Sequence, residues 1–175
     1  MTAAVEARAR ADAQETGGNG GRRRRLALVA SKGTLDGAYP PLILAATAAS
    51  LGWEVGIFFT FYGLDILHKK RHTKLKVAPL GNPAMPVPVP NLVGALPGMT
   101  AAATTMMKRW MRRQNMPTVP QFLDIARESG VKLFACSTTM GVMGVKETDL
   151  APGADIAGAA AFLDFAADAD VSLFV

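Results

Sequence analysis

Leu26-Ala27-Leu28-Val29-Ala30 constrains the fold most: five apolar residues in a row, without alternation, running into Ser31-Lys32-Gly33-Thr34-Leu35-Asp36-Gly37. A short run with no polar face predicts a strand buried on both sides, so helices must cover both faces of its sheet. Pro40 and Pro41 follow the turn and suit the first turn of a helix, where proline costs no hydrogen bond. That helix is expected to run through Leu42–Ala46 to Leu51 and to stop at Gly52. Trp53 to Thr60 is rich in β-formers and reads as a second strand. Strand, helix and strand within about 35 residues form a βαβ unit, which implies parallel pairing.

The second half repeats this rhythm. Val119 or Pro120 opens a helix with Phe122, Ile125 and Ala126 at helical spacing, ending near Gly130. Lys132 to Cys136 predicts another short buried strand. Ala154 to Asp168 predicts a helix with Ile156, Ala159, Ala160, Leu163 and Ala167 on one stripe. Val171 to Val175 predicts a terminal strand. The expected fold is therefore α/β: an open, mostly parallel sheet of at least four strands sandwiched by helices.

The middle departs from that pattern. Val77 to Met107 carries no charge and six prolines, at 79, 83, 86, 88, 90 and 97. That density excludes a regular helix or central strand from Pro79 to Pro90. Only Leu92 to Met107 has helical potential, and it is too short to span a bilayer. Nine basic residues and no acidic one lie between Ile66 and Arg113. A lid or subunit-contact loop, a membrane-surface segment over 77–113, and plain disorder all fit the stretch. Nucleic acid does not, since the basic residues flank an apolar run instead of alternating with stacking aromatics. Residues 1–25 read as a disordered basic tail, and 26–175 as the domain, with a Pro/Met-rich insertion at about 77–107.

One cysteine stands in the chain, Cys136. It cannot pair internally, and no apolar secretory core is visible near Met1, so a reducing cytoplasmic setting is expected, with membrane association as the variant. At the carboxyl end of a predicted strand, where open α/β sheets place ligands, Cys136 is the candidate nucleophile. Ser137, Thr138 and Thr139 follow it, and Ser and Thr favour helix N-caps, whose free N–H groups stabilise a thiolate. A cysteine ending a buried strand is also ordinary packing. Loops at the same edge offer Gly33, Thr34 and Asp36, with Lys32 nearby, after the first strand. Tyr62, Asp65 and His68 follow the second. Asp36 equally suits a turn or cap, and His68 and His72 a solvated basic patch. Two histidines and one cysteine make no metal site. A phosphate loop and a G-x-G-x-x-G are both missing, so no cofactor is expected.

The segments Ser31–Asp36, Val55–Leu64 and Leu133–Gly144 resemble the DsrE/DsrF-like family, in its branch of DsrE-related, peroxiredoxin-like-labelled sulfur-relay proteins. The resemblance runs from about Leu26 to Val175. It implies an oligomeric α/β sandwich, expected here as a trimer or tetramer. It also implies a sulfurtransferase-like carrier that takes sulfur as a cysteine persulfide and hands it to rhodanese-like or TusA-like partners. Only Cys136 can fill that role, with Ser137, Thr138 and backbone amides stabilising the anion and Asp36 orienting the loop. Without a second cysteine the chain cannot resolve an oxidised thiol internally, so the label does not imply peroxidase activity. Two other readings remain: a membrane-associated scaffold using 77–107, and a flavin- or nucleotide-binding α/β protein.

Overall fold

Five strands form a single all-parallel sheet in a computed structural model that describes residues 22–78 and 98–175. They are β1 (Arg25–Ala30), β2 (Glu54–Phe59), β3 (Lys132–Cys136), β4 (Ala154–Ala157) and β5 (Val171–Phe174), in the spatial order β4-β3-β2-β1-β5. The helices are α1 (Leu35–Ser50), α2 (Leu64–Leu67), α3 (Met99–Arg113), α4 (Val119–Glu128), α5 (Ser137–Met143) and α6 (Ala159–Ala167). The chain steps outward from β1 to β4, then returns past β1 to β5. Right-handed crossovers put connections of opposite direction on opposite faces. Accordingly α1 and α4 cover one face, where Leu28, Ile57, Phe59 and Leu133 are fully buried beneath them. The other face carries α6, whose Phe162 and Phe165 pack on Ala27, Phe58 and Cys136. The rings of Phe58 and Phe162 stack with centroids 4.8 Å apart.

The strands β1, β2 and β3 lie where their apolar runs predict, and the parallel sheet is as expected. Three local expectations need correction. The first is the start of α1. Thr34 caps the helix by accepting a bond from the Gly37 amide at 3.2 Å, so the helix begins at Leu35 and both prolines fall in its second turn. There they deprive only two early carbonyls of donors, a loss the buried face of Leu35, Ala38, Leu42 and Ala45 outweighs.

The second is Ala154–Ala157, which is not helix but an edge strand flanked by Gly153 and Gly158. Its backbone pairs with β3, from Leu133–Ala154 to Cys136–Ala157, and that pairing overrides the modest propensities of Ala and Asp. The third follows: α6 starts at Ala159, and its buried side is Phe162 and Phe165, while Ile156 and Leu163 are exposed. An aromatic pair buries more apolar surface than a stripe of alanines, so it sets the helix rotation.

Residues 1–21 and 79–97 lie outside the described residues, and with them most of the expected tail and the proline-dense part of the insertion. Arg22 and Arg25, read as tail, belong to the domain: Arg22 pairs with Asp170 at 3.0 Å, and Arg25 pairs with Glu54 at 2.8 Å. Of the helical potential of Leu92–Met107, the part from Met99 is helix in α3, which continues through Lys108–Arg113, while 92–97 lie outside the described residues. Among the described residues no helix is long and apolar enough to cross a membrane.

Candidate functional site

Parallel register brings the site together at the carboxyl edge. Phe59 pairs with Ala135, so Thr60, one residue on, falls beside Cys136. Cys136 occupies the N-cap position of α5 itself, and Ser137 to Thr139 form the first turn instead of capping it. Cys136 is 6% exposed as a residue and packs in one cluster with Phe58 of β2 and Phe162 of α6, while Ser137 and Thr138 after it are exposed.

Thr139 is the organising side chain. It is buried, its hydroxyl oxygen accepts from the Phe61 amide at 3.0 Å, and it lies 3.1 Å from the Thr60 hydroxyl. Burial pushes the Cys136 thiol up. Hydrogen bonds from the Thr139 hydroxyl and amide, the Thr60 hydroxyl and the Thr138 amide more than offset this, leaving its pKa lowered from the ordinary value. The two hydroxyls hold two protons between them. If one is used in the Thr60–Thr139 contact, the other is still free to point at sulfur. Among the described residues, the groups that favour the Cys136 thiolate are all neutral donors.

Of the residues expected to bind, Thr139 contributes a side chain and Thr138 its amide. The Ser137 hydroxyl instead turns toward Gly158, the N-cap of α6. Gly33, Thr34 and Asp36 shape the edge without joining this cluster. Gly33 packs on the Tyr62 carbonyl, where any side chain would collide. Thr34 is used as the α1 cap, and the Asp36 carboxylate accepts from the Ala78 amide at 2.9 Å. Asp65 is taken by Arg71 at 2.7 Å. His68 is buried rather than solvated, its Nδ1 accepting from the Lys70 amide at 3.2 Å. Thr60 was not a candidate from sequence. Its role follows from strand register, which no local pattern encodes.

The β2 end is locked to β1 by Gly63, whose amide donates to Ser31 O at 3.0 Å and Thr60 O at 2.9 Å. A Cβ there would run into the Ala30 carbonyl oxygen, which is backbone and cannot step aside cheaply. The turn also holds Phe61 at φ 46°, a left-handed conformation that costs a non-glycine residue roughly 1–2 kcal/mol. Gly63→Ala should therefore lower stability by about 3 kcal/mol and shift Thr60 and Phe61 away from Thr139. Urea unfolding would read the first effect and the pH profile of Cys136 alkylation the second. An unchanged urea midpoint would remove the claim that Gly63 spaces these strands.

The comparisons with known proteins agree with this architecture. A solved structure, the ychN protein from E. coli, superposes with a TM-score of 0.53 over 88% of this chain and all of that one, at 11% identity, which shows the shared fold. The sulfur carrier protein DsrE2 of Allochromatium vinosum is 44% identical over 159 residues, covering 87% of this chain and 99% of that protein. A Bacillus subtilis protein named YrkE is 34% identical over 162 residues, covering 87% of this chain and 97% of that one. Residues 22–174 match the model of the DsrE/DsrF/DrsH-like family, and the chain belongs to that family.

Proposed function

We propose that this protein is a sulfur carrier that holds sulfane sulfur as a persulfide on Cys136 and passes it to a partner carrier protein of rhodanese-like or TusA-like kind. The observation that carries the reading is the placement of the one cysteine at the β3–α5 junction, where sheet register brings Thr60 beside it and the buried Thr139 hydroxyl contacts Thr60 and accepts from the Phe61 amide. Neutral donors there hold its pKa down against burial. Kinship with a protein named as a sulfur carrier supports it.

In the loading step the Cys136 thiolate attacks the sulfane sulfur of a donor such as thiosulfate or a protein persulfide. The Sγ–S bond forms as the donor's S–S bond breaks, and the donor leaves with the electron pair as sulfite or thiolate. In the unloading step an acceptor thiolate attacks the outer sulfur and Cys136 departs as thiolate. No net oxidation occurs, so no second cysteine is needed. The thiolate and the persulfide anion both carry one negative charge at this place, and the same donors stabilise each.

Incubation with polysulfide, or with thiosulfate and a rhodanese, followed by intact mass spectrometry, tests this: the chain should gain sulfur, lose it to reductant, and pass it to a low-pKa acceptor thiol. A cytoplasmic location belongs to the proposal, because a reducing compartment keeps the lone thiol free for exchange. So does assembly into a trimer or tetramer, which light scattering would show as three or four times the 18.4 kDa of one chain. A monomer would remove that part.

A further inference from the structure

On the face of the sheet opposite the one that carries Cys136 and α6, a cavity of about 340 Å³ opens between α1, the turn at His72–Lys74, the end of α3 and the start of α4. Ligand pockets run from about 300 to 1,000 Å³. Leu35, Tyr39, Met111, Met116 and Val119 give this one apolar walls. Its charged lining among the described residues is two cations, Lys108 and Arg112, four residues apart and so on one face of α3, with no carboxylate. Lys108 Nζ reaches the Thr73 carbonyl at 3.3 Å, and Arg112 has no ion pair among the described residues.

His72 also lines the cavity, and its Nδ1 is buried without a hydrogen-bond partner among the described residues. Such an atom costs roughly 1–3 kcal/mol unless something satisfies it. Burial, then the neighbouring His68, lower the His72 pKa, against a smaller opposite pull from Asp124, so the ring is neutral near pH 7 and carries one N–H.

We infer that this cavity binds a small amphipathic carboxylate. The acid group lies between Lys108 and Arg112, with the neutral His72 ring beside them. The hydrocarbon part lies against Tyr39, Met111 and Val119. One carboxylate with a hydrocarbon part answers two features at once: two cations without an ion pair among the described residues, and a largely apolar lining. A phosphate fits less well, because a dianion would have to be desolvated among mainly apolar side chains. Cys136 takes no part, so the site stands whether or not the chain carries sulfur.

The test is calorimetric titration of the full chain with octanoate and 4-phenylbutyrate, beside octanol and octylammonium at equal concentration. One carboxylate should saturate per chain, octanol should bind about tenfold more weakly, and octylammonium should not bind. Lys108→Met and Arg112→Met should each weaken the carboxylate about tenfold, since one charge-assisted bond is lost in each. Met111→Trp should fill the cavity and abolish binding in a chain whose circular dichroism is unchanged. Cys136→Ser should bind like the wild type. Equal affinity for acid and alcohol, or unchanged binding in both cation variants, would overturn the inference. So would the absence of saturable binding by either acid, which would leave the cavity to solvent.

Discussion

Cys136→Ser is expected to abolish sulfur loading completely while leaving the chain folded. The loss is total because the chain has no other thiol. The fold survives because serine is slightly smaller and its hydroxyl meets the same donors and acceptors around Thr139 and Thr60. Its stability cost should stay near 1 kcal/mol, the scale of one exchanged hydrogen bond in a buried place. Wild-type protein given polysulfide should gain about 32 Da per chain, one sulfur atom, and reductant should remove it. The variant should gain nothing from any donor. Two results would sink the carrier reading: mass gain in the variant, or no gain in the wild type when iodoacetamide shows the thiol to be accessible. Gain without onward transfer to any acceptor thiol would cut the proposal down to storage.

How much of this was legible beforehand depended on which interaction fixed each feature. β1, β2 and β3 announce themselves because strands buried on both faces must be continuously apolar, as Leu26–Ala30 is. The position of Cys136 at a strand end follows from the same run. β4 was hidden because four residues at an edge, with Asp155 and Ile156 exposed, need neither alternation nor bulk. Only the backbone partner β3 makes them a strand. The alanines of α6 mark helix without marking a side, so the stripe they suggest is not its buried face, and the rotation is set by Phe162 against Phe58. The start of α1 was obscured by Pro40 and Pro41, which resemble a first turn, while the deciding contact is the Thr34 cap.

The site shows the same division. Ser137, Thr138 and Thr139 are adjacent to Cys136 in sequence, yet adjacency cannot say which of the three turns inward. A seven-residue helix after a strand exposes its first two positions here and buries the third. Thr60 is 76 positions away and enters only through the pairing of Phe59 with Ala135. Gly33, Thr34 and Asp36 lie at the expected edge, but each is spent on a local contact that shapes it.

Thr139→Val should move the reactivity of Cys136 to higher pH and weaken the fold together. Valine keeps the shape and removes the hydroxyl, so the sulfur loses a hydroxyl donor and the Phe61 amide loses its acceptor. Desolvation, already the largest influence and acting upward, is then opposed only by the amides and Thr60. The half-point of alkylation should lie below that of a free cysteine in the wild type and at higher pH in the variant. Each unit of that rise removes about nine-tenths of the thiolate present at neutral pH, so alkylation and sulfur loading at pH 7 should slow about tenfold per unit of the rise. The stability effect has a sign. A thiol whose native pKa is lowered stabilises the fold increasingly as pH rises through the native value, fully above the unfolded one, and loses this as pH falls. Wild-type chain should therefore gain stability across that window, and Thr139→Val should not. On top of this, the stranded Phe61 amide should cost roughly 1–3 kcal/mol at every pH. Thr139→Ser, which restores the hydroxyl, should recover the wild-type alkylation profile. If Thr139→Val kept that profile, the amides and the Thr60 hydroxyl would suffice to hold the sulfur anion, and the Thr139 hydroxyl would be no part of the site.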